Sequence, residues 1–282
     1  MKTNCDVSVI TPGLNMLKYL KCCAASVRDQ EGGAFEHIVV DGGSTDGSKE
    51  WLNEQDRIIS TSEKDNGMYD AINKGLKKAK GKILAYLNCD EQYLPGVLKR
   101  VADYFEQNPE VDMIFGDVLL IRPDGSLVAY RKGYRPRWYF ILTSHLYVLS
   151  CTMFFRRKIL EEGFFFSPGL RAAGDMDFVI RVLRSGYHAQ HLKQYLAAFT
   201  MTGKNLSTDE NAIRERKQIQ AAAPFYLKST KGLLNIARLT EKLFSGAYFQ
   251  EKPLEYAIYT EENEKQRKHF CVNKASFRWK FQ

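Results

Sequence analysis

An α/β fold built on a mostly parallel sheet is what this chain of 282 residues predicts, and three observations predict it. Short apolar runs alternate with stripes of helical period as far as Asn108, the pattern of a sheet with helices on both faces. Two of those runs stop on acids, at Asp41 and Asp90, where open α/β sheets place their ligands. Beyond Met113 the pattern changes to two apolar segments flanking Pro123-Asp124-Gly125, the signature of an antiparallel hairpin.

Taken in order, Val7 to Pro12 reads as the first strand, closed by Pro12-Gly13. Leu17, Leu20, Ala24 and Val27 make the stripe of a helix over residues 15–28. Ile38-Val39-Val40 is the second strand, and Ser44, Thr45 and Asp46 are expected to cap the helix carrying Trp51 and Leu52. Ile58-Ile59 gives a third strand. Met68, Ala71, Ile72, Gly75, Leu76 and Ala79 then share one helical face, and Gly81 is expected to end that helix in the left-handed conformation. Ile83 to Leu87 is short enough to be a buried strand, and it stops on Asn88, Cys89, Asp90 and Glu91. A helix follows Pro95 and ends at Asn108-Pro109. After the hairpin, Cys151 to Arg156 is a strand candidate. Gly174-Asp175-Met176-Asp177 opens a helix stopped by Gly186. Ala212 to Lys228 and Leu233 to Phe244 are helical and charged. The expected organisation is a domain over residues 1–206 with a helical, basic extension over 207–282 packed on it.

Composition narrows the function classes. A content of 44% hydrophobic and 12% aromatic residues supplies a large core and excludes global disorder. The net charge of +8 is concentrated, since residues 265–282 carry six Lys or Arg and no acid. That basic stretch is interleaved with Phe270, Phe277, Trp279 and Phe281. It suits an anionic membrane surface, whereas no nucleic-acid module accompanies it. Six cysteines in no C-x-x-C pattern fit neither zinc nor a disulfide framework, so reduced thiols in a cytoplasmic protein are expected. Tyr139 to Phe155 is too short and too interrupted for a membrane span and reads as core.

Several motifs fail. Asp41 to Lys49 (DGGSTDGSK) lacks the Gly-Lys-Ser/Thr of a phosphate loop, and no G-x-G-x-x-G follows the first strand. His188 and His191 have no H-E-x-x-H context and read as a solvent-facing or satisfied pair. No G-x-S-x-G is present, which disfavours acyl transfer. What remains is three acidic stations, Asp41, Asp90 and Asp175. Each alone is an ordinary cap or turn residue. Together they suit a hard cation such as Mg²⁺ or Mn²⁺ beside a diphosphate, which completes the ion's shell.

Ser8 to Pro12, HIVVDGGSTDGS over residues 37–48, Asp65 to Gly81, LNCDEQYLP over residues 87–95, Gly116-Asp117 and Gly174 to Asp177 stand in an order that resembles the family 2 glycosyltransferases. The resemblance covers about the first 205 residues. It implies the GT-A fold and inverting transfer from a nucleotide-diphospho-sugar, UDP-sugar favoured, to a glycan or lipid-linked acceptor in surface polysaccharide synthesis. By the same resemblance Thr11 and Pro12 border the donor, Asp41 contacts its base or ribose, and Asp65 and Asn73 flank it. Asn88-Cys89-Asp90 occupies the D-x-D position, so Asp90 would hold the metal, with Asn88 beside it. Asp175 matches the general base. Gly42 stands where a second Asp is frequent, and Asn88 stands in place of the first Asp of D-x-D. A non-catalytic surface-docking protein of the same fold is the alternative. A nucleotidyltransferase is weaker, because Thr11 to Asn15 offers no Gly-rich basic loop.

Overall fold

The computed structural model describes residues 5–203, 205, 210–250 and 252–278. Strand β1 (Val7–Gly13) leads through α1 (Leu17–Arg28) to β2 (Phe35–Asp41). Next come α2 (Ser48–Asn53), β3 (Ile58–Ser62), α3 (Met68–Lys78) and β4 (Ile83–Tyr86). After them stand β5 (Glu91–Tyr93) and α4 (Val97–Gln107), then the hairpin of β6 (Met113–Ile121) and β7 (Leu127–Arg131). The run from Tyr139 resolves into α5 (Trp138–Thr143), a 3₁₀ turn at Ser150–Thr152 and β8 (Phe154–Arg156). Then follow α6 (Arg157–Glu161), α7 (Gly174–Arg184) and the long β9 (Ala189–Thr200). Among the described residues no helix is long and apolar enough to cross a membrane.

One sheet runs in the order β3-β2-β1-β4-β8-β6-β9-β5, with β7 on β6. The first four strands are parallel to one another. Strand β8 reverses direction against β4 and β6. Alternation sends the side chains of β4 to opposite faces. Ile83, Ala85 and Leu87 pack with Val27 of α1 and Leu98, Val101 and Phe105 of α4. Leu84 and Tyr86 pack with Ile72 and Leu76 of α3 and Val179 of α7. Gly75 lets α3 approach the sheet closely, since a Cβ there would stand 2.5 Å from Ile10 Cγ2.

Two local expectations are corrected. Gly81 is not a left-handed helix end, because α3 stops at Lys78 and Ala79 is extended. Its role is close approach, as a Cβ on Gly81 would lie 2.5 Å from the Ser8 amide nitrogen. At α2 the residue in the cap position is Gly47, at φ +91°. Asp46 still serves the helix start by accepting the Ser48 N–H at 3.1 Å, but Ser44 is turned to Asp41 instead.

The extension is helical over α8 (Glu210–Ala221), α9 (Phe225–Ser229) and α10 (Lys231–Phe244). It then forms a hairpin of β10 (Leu254–Thr260) and β11 (Asn263–Val272). The expected basic tail is therefore partly built into the fold. Arg267 forms an ion pair with Asp29, the residue that follows α1, its Nη2 2.7 Å from Asp29 Oδ1, and Phe270 stacks on Tyr256. Gln92 and Tyr259 exchange two hydrogen bonds, at 2.9 and 2.8 Å, which tie the hairpin to β5. Trp279 and Phe281 lie outside the described residues, as do 206–209, where the domain boundary is expected. All six cysteines are free thiols, and burial pushes Cys22 up to about 12. His188 is exposed, and His191 lies with its Nε2 2.9 Å from Asp117 Oδ1, so the two do not form a ligand pair.

Candidate active site

The strand order places the site. From β1 the chain winds outward through β2 and β3, then α3 carries it back to β4 on the other side of β1. Strands β1 and β4 therefore flank a topological switch point, and a crevice opens beyond their carboxyl ends. Into it project Pro12 and Gly13 at the end of β1, and Asn88, Cys89 and Asp90 after β4. The two loops touch, with the Cys89 thiol 3.4 Å from the Pro12 carbonyl oxygen. The crevice is a cavity of about 760 Å³, whose walls also include Asp65, Tyr69, Glu91 and Asp175. That is ample for a nucleotide-sized ligand.

Asp175 stands in the first turn of α7 and lines the same crevice as Asp90. Its Oδ1 accepts the Met176 N–H at 2.8 Å and stands 3.5 Å from the Tyr69 hydroxyl. Burial pushes its carboxyl up to about 6, against the lowering effect of those hydrogen bonds and of Arg216. A carboxylate with that affinity can take a proton near neutral pH. Burial also raises Asp90, whose Oδ2 accepts a 2.8 Å hydrogen bond from Asn205. Glu91 is raised by burial and then by the charge of Asp90, and its Oε2 accepts the Asn88 N–H at 2.7 Å.

Among the described residues no group of three His, Cys, Asp or Glu side chains forms a metal cluster. The Asn88 Oδ1, however, is buried without a hydrogen-bond partner among the described residues, two positions from the Asp90 carboxylate. An amide oxygen left without a donor and a carboxylate on the same turn of the cavity wall are the hard donors that fit a cation taking the rest of its shell from phosphate and water.

Of the residues expected at the site, Pro12, Asp65, Asn88, Asp90 and Asp175 come together on this cavity. Thr11, Asp41 and Asn73 do not line it. Thr11 is buried and pairs with His37 Nε2 at 2.8 Å. Asn73 clamps the Phe166 backbone through bonds of 2.8 and 3.0 Å. Asp41 is 1% exposed and its oxygens are taken up by Ser44 and by the Ser62 hydroxyl at 2.6 Å. Gly42 has a geometric reason. A Cβ there would meet Asp65 Oδ2 at 2.6 Å, so Asp65 occupies the space a side chain at 42 would fill.

Glu91, one of the acids on which the Ile83–Leu87 run stops, faces the cavity although it sits in a buried strand. Two features of the site escaped the sequence. Tyr69 carries the hydroxyl that accepts the Asp175 N–H at 3.2 Å. Glu215 of α8 is buried and accepts the N–H groups of Arg171, Ala172 and Ala173 at 2.8, 2.9 and 3.0 Å. It thereby fixes the loop that delivers Asp175. A buried Glu within a charged helix left no local signal.

A second cavity, of about 820 Å³, shares Glu91, Ser150, Ala172, Asp175 and Phe199 with the first. Two chambers thus meet at Asp175. A sheet-end chamber and a second one that share a raised carboxylate at their junction suit a transferase that brings two substrates together.

Comparison with known proteins agrees. The model of glycosyl transferase family 2 matches residues 8–164, and the chain belongs to that family. A PGL/p-HBAD biosynthesis glycosyltransferase of Mycobacterium tuberculosis is 30% identical over 191 residues, 62% of this chain and 68% of the relative. S. aureus TarS, solved with UDP-GlcNAc, superposes with a TM-score of 0.63 at 17% identity, covering 96% of this chain and 100% of that one. The mannosyltransferase PcManGT of Pyrobaculum calidifontis, solved with GDP-Man and Mn²⁺, gives 0.55 at 18% identity over 87% and 76% of the two chains. These two likenesses establish the GT-A fold.

Proposed function

We propose that the chain transfers a sugar, with inversion, from a nucleotide-diphospho-sugar to a hydroxyl of a glycan or lipid-linked acceptor in surface polysaccharide synthesis. The observation that carries this reading is the pair Asp90 and Asp175 on one cavity, with a second chamber beginning at Asp175. The donor lies in the chamber of Pro12, Asp65 and Asn88, and the acceptor enters from the other. Asp175 takes the acceptor hydroxyl proton, the oxygen bonds the anomeric carbon, and the carbon–phosphate oxygen bond breaks on the opposite face. A base so placed contributes roughly 10²–10⁴-fold. Asp90 and the Asn88 Oδ1 would hold Mg²⁺ or Mn²⁺, whose charge offsets that of the departing diphosphate. A UDP-sugar is favoured, and the relatives solved with UDP-GlcNAc and with GDP-Man support a nucleotide-sugar donor.

We also assign residues 1–206 as the catalytic domain and 207–282 as a packed extension. Work at the cytoplasmic membrane surface suits Lys265, Lys268, Lys274 and Arg278, since Arg267 is spent on Asp29. Liposome binding that is unchanged after deleting 265–282 would remove that part alone. The test of the main reading is a thermal-shift screen of UDP-, GDP- and dTDP-sugars with Mn²⁺, followed by release of nucleoside diphosphate. A donor that stabilises the wild type and turns over in it, but only binds in Asp175→Asn, is expected. Equal turnover in Asp175→Asn would overturn the base assignment, and absence of any donor binding would favour the non-catalytic alternative.

A further inference from the structure

The second chamber has a chemistry of its own. Arg131 reaches its wall from the end of β7, Arg216 from α8, and Arg238 and Lys242 from successive turns of α10. Among its lining residues the only acids are Glu91 and Asp175, both at the mouth shared with the donor cleft. Arg238 is 8% exposed. Its Nη1 donates to the Tyr134 hydroxyl at 3.0 Å and its Nη2 to Asn235 Oδ1 at 2.8 Å. The Arg238 Nε has no hydrogen-bond partner among the described residues.

These cations disfavour one another. Burial, then Arg131 and Arg238, lowers the Lys242 ammonium. Burial lowers Arg131 to about 10. Although His145 keeps an exposed edge, burial of its ring and then the fields of Arg238, Lys242, Arg131 and Arg216 hold it down to about 4. Arg238 and Lys242 stand on successive turns of α10, with no acid among the lining residues except the two at the mouth, and like charges so placed repel unless an anion joins them. Arginine forks and a lysine ammonium match phosphate oxygens in geometry and charge. Leu146, Leu149 and the exposed Ile213 and Leu239 give another part of the chamber an apolar wall.

We propose that this chamber is an anion subsite that holds a phosphate ester of the acceptor through Arg238 and Lys242 while the acceptor hydroxyl meets Asp175. This rests on reading the neighbouring cleft as the donor site, and it makes the acceptor class a phosphorylated one. A lipid phosphate and a polyol phosphate share that chemistry.

The experiment is calorimetry on the full chain saturated with UDP and Mn²⁺, so that the donor cleft is filled. n-Octyl phosphate and glycerol 3-phosphate are titrated, with n-octyl glucoside and glycerol as neutral controls. At least one phosphate ester is expected to bind while its neutral control does not. Lys242→Gln and Arg238→Gln should weaken it at least about tenfold, and Lys217→Gln, on an exposed position of α8, should leave it unchanged. Lys242 is only half-buried, so its variant keeps the test open where Arg238→Gln fails to fold. Binding of octyl phosphate alone supports the subsite with a lipid source, and binding of glycerol 3-phosphate alone supports it with a polyol source. Failure of both esters, or affinity indifferent to Lys242→Gln, overturns the subsite. Failure of UDP itself would strike the donor reading, and the same titration without UDP would then judge the subsite through Lys242.

Discussion

Glu215 ties the helical extension to chemistry, and its replacement by alanine tests that tie. The carboxylate accepts three backbone N–H groups in succession, from Arg171, Ala172 and Ala173, two residues before Asp175. Removing it strands those donors unequally. Arg171 is exposed and Ala172 half-buried, so water can satisfy their amides, whereas Ala173 is 2% exposed. An unsatisfied buried donor costs about 1–3 kcal/mol, and hydrogen bonds to a charged group contribute a similar amount each. The expected loss is therefore about 2–4 kcal/mol, with part of it recovered by water. For a chain of 282 residues that lowers the melting temperature by roughly 3–7 °C. Because the loop sets the position of Asp175, kcat should fall about 10–100-fold while donor KM stays near the wild-type value. Scanning fluorimetry and initial-rate kinetics read the two effects. A Glu215→Ala protein melting within experimental error of wild type, or a destabilised one with undiminished kcat, would refute the argument.

Other expectations follow from the same geometry. The wild-type rate should rise with pH through about 6, where Asp175 loses its proton, and Asp175→Asn should flatten that limb. The sign for stability is opposite. A carboxyl whose folded affinity for protons exceeds its unfolded one favours folding at low pH, and this advantage is lost as pH rises through about 6. Asp175→Asn should then be the more stable protein above that pH, by about 1–3 kcal/mol after allowing for solvent in the cleft, in denaturant titrations. Asn88→Ala removes the unpartnered oxygen next to Asp90 and should weaken Mn²⁺-dependent UDP binding about tenfold by calorimetry. Unchanged metal dependence would exclude that oxygen as a ligand. Gly42→Ala sets a methyl 2.6 Å from Asp65 Oδ2. It should cost about 1–3 kcal/mol in melting and reduce nucleotide affinity together.

The sequence by itself determined the sheet's first half and the acidic stations at its edge. Runs such as Ile83 to Leu87 are wholly buried, so their apolar content is unambiguous, and acids following them fall at the ligand end by topology alone. It also carried the family's motifs, which place Asp90 and Asp175 in order along the chain. Tertiary structure decided which of the marked residues face the cleft. Asp41, Thr11 and Asn73 occupy motif positions, yet their side chains are used up by Ser62, His37 and the Phe166 backbone. Local patterning cannot tell a polar group aimed at a ligand from one satisfied inside the protein, because both need the same residue types. Glu215, Arg238 and Lys242 carry the converse lesson. In sequence they are ordinary charges on solvated helices, and only the folding of α8 and α10 against α5 buries Glu215 and Arg238 and brings Lys242 to the wall of the second chamber. The basic stretch after residue 264 was legible as charge, but the pairing of β10 with β11 spent Arg267 and Phe270 internally. Charge is a property of the chain, whereas what it faces is a property of the fold.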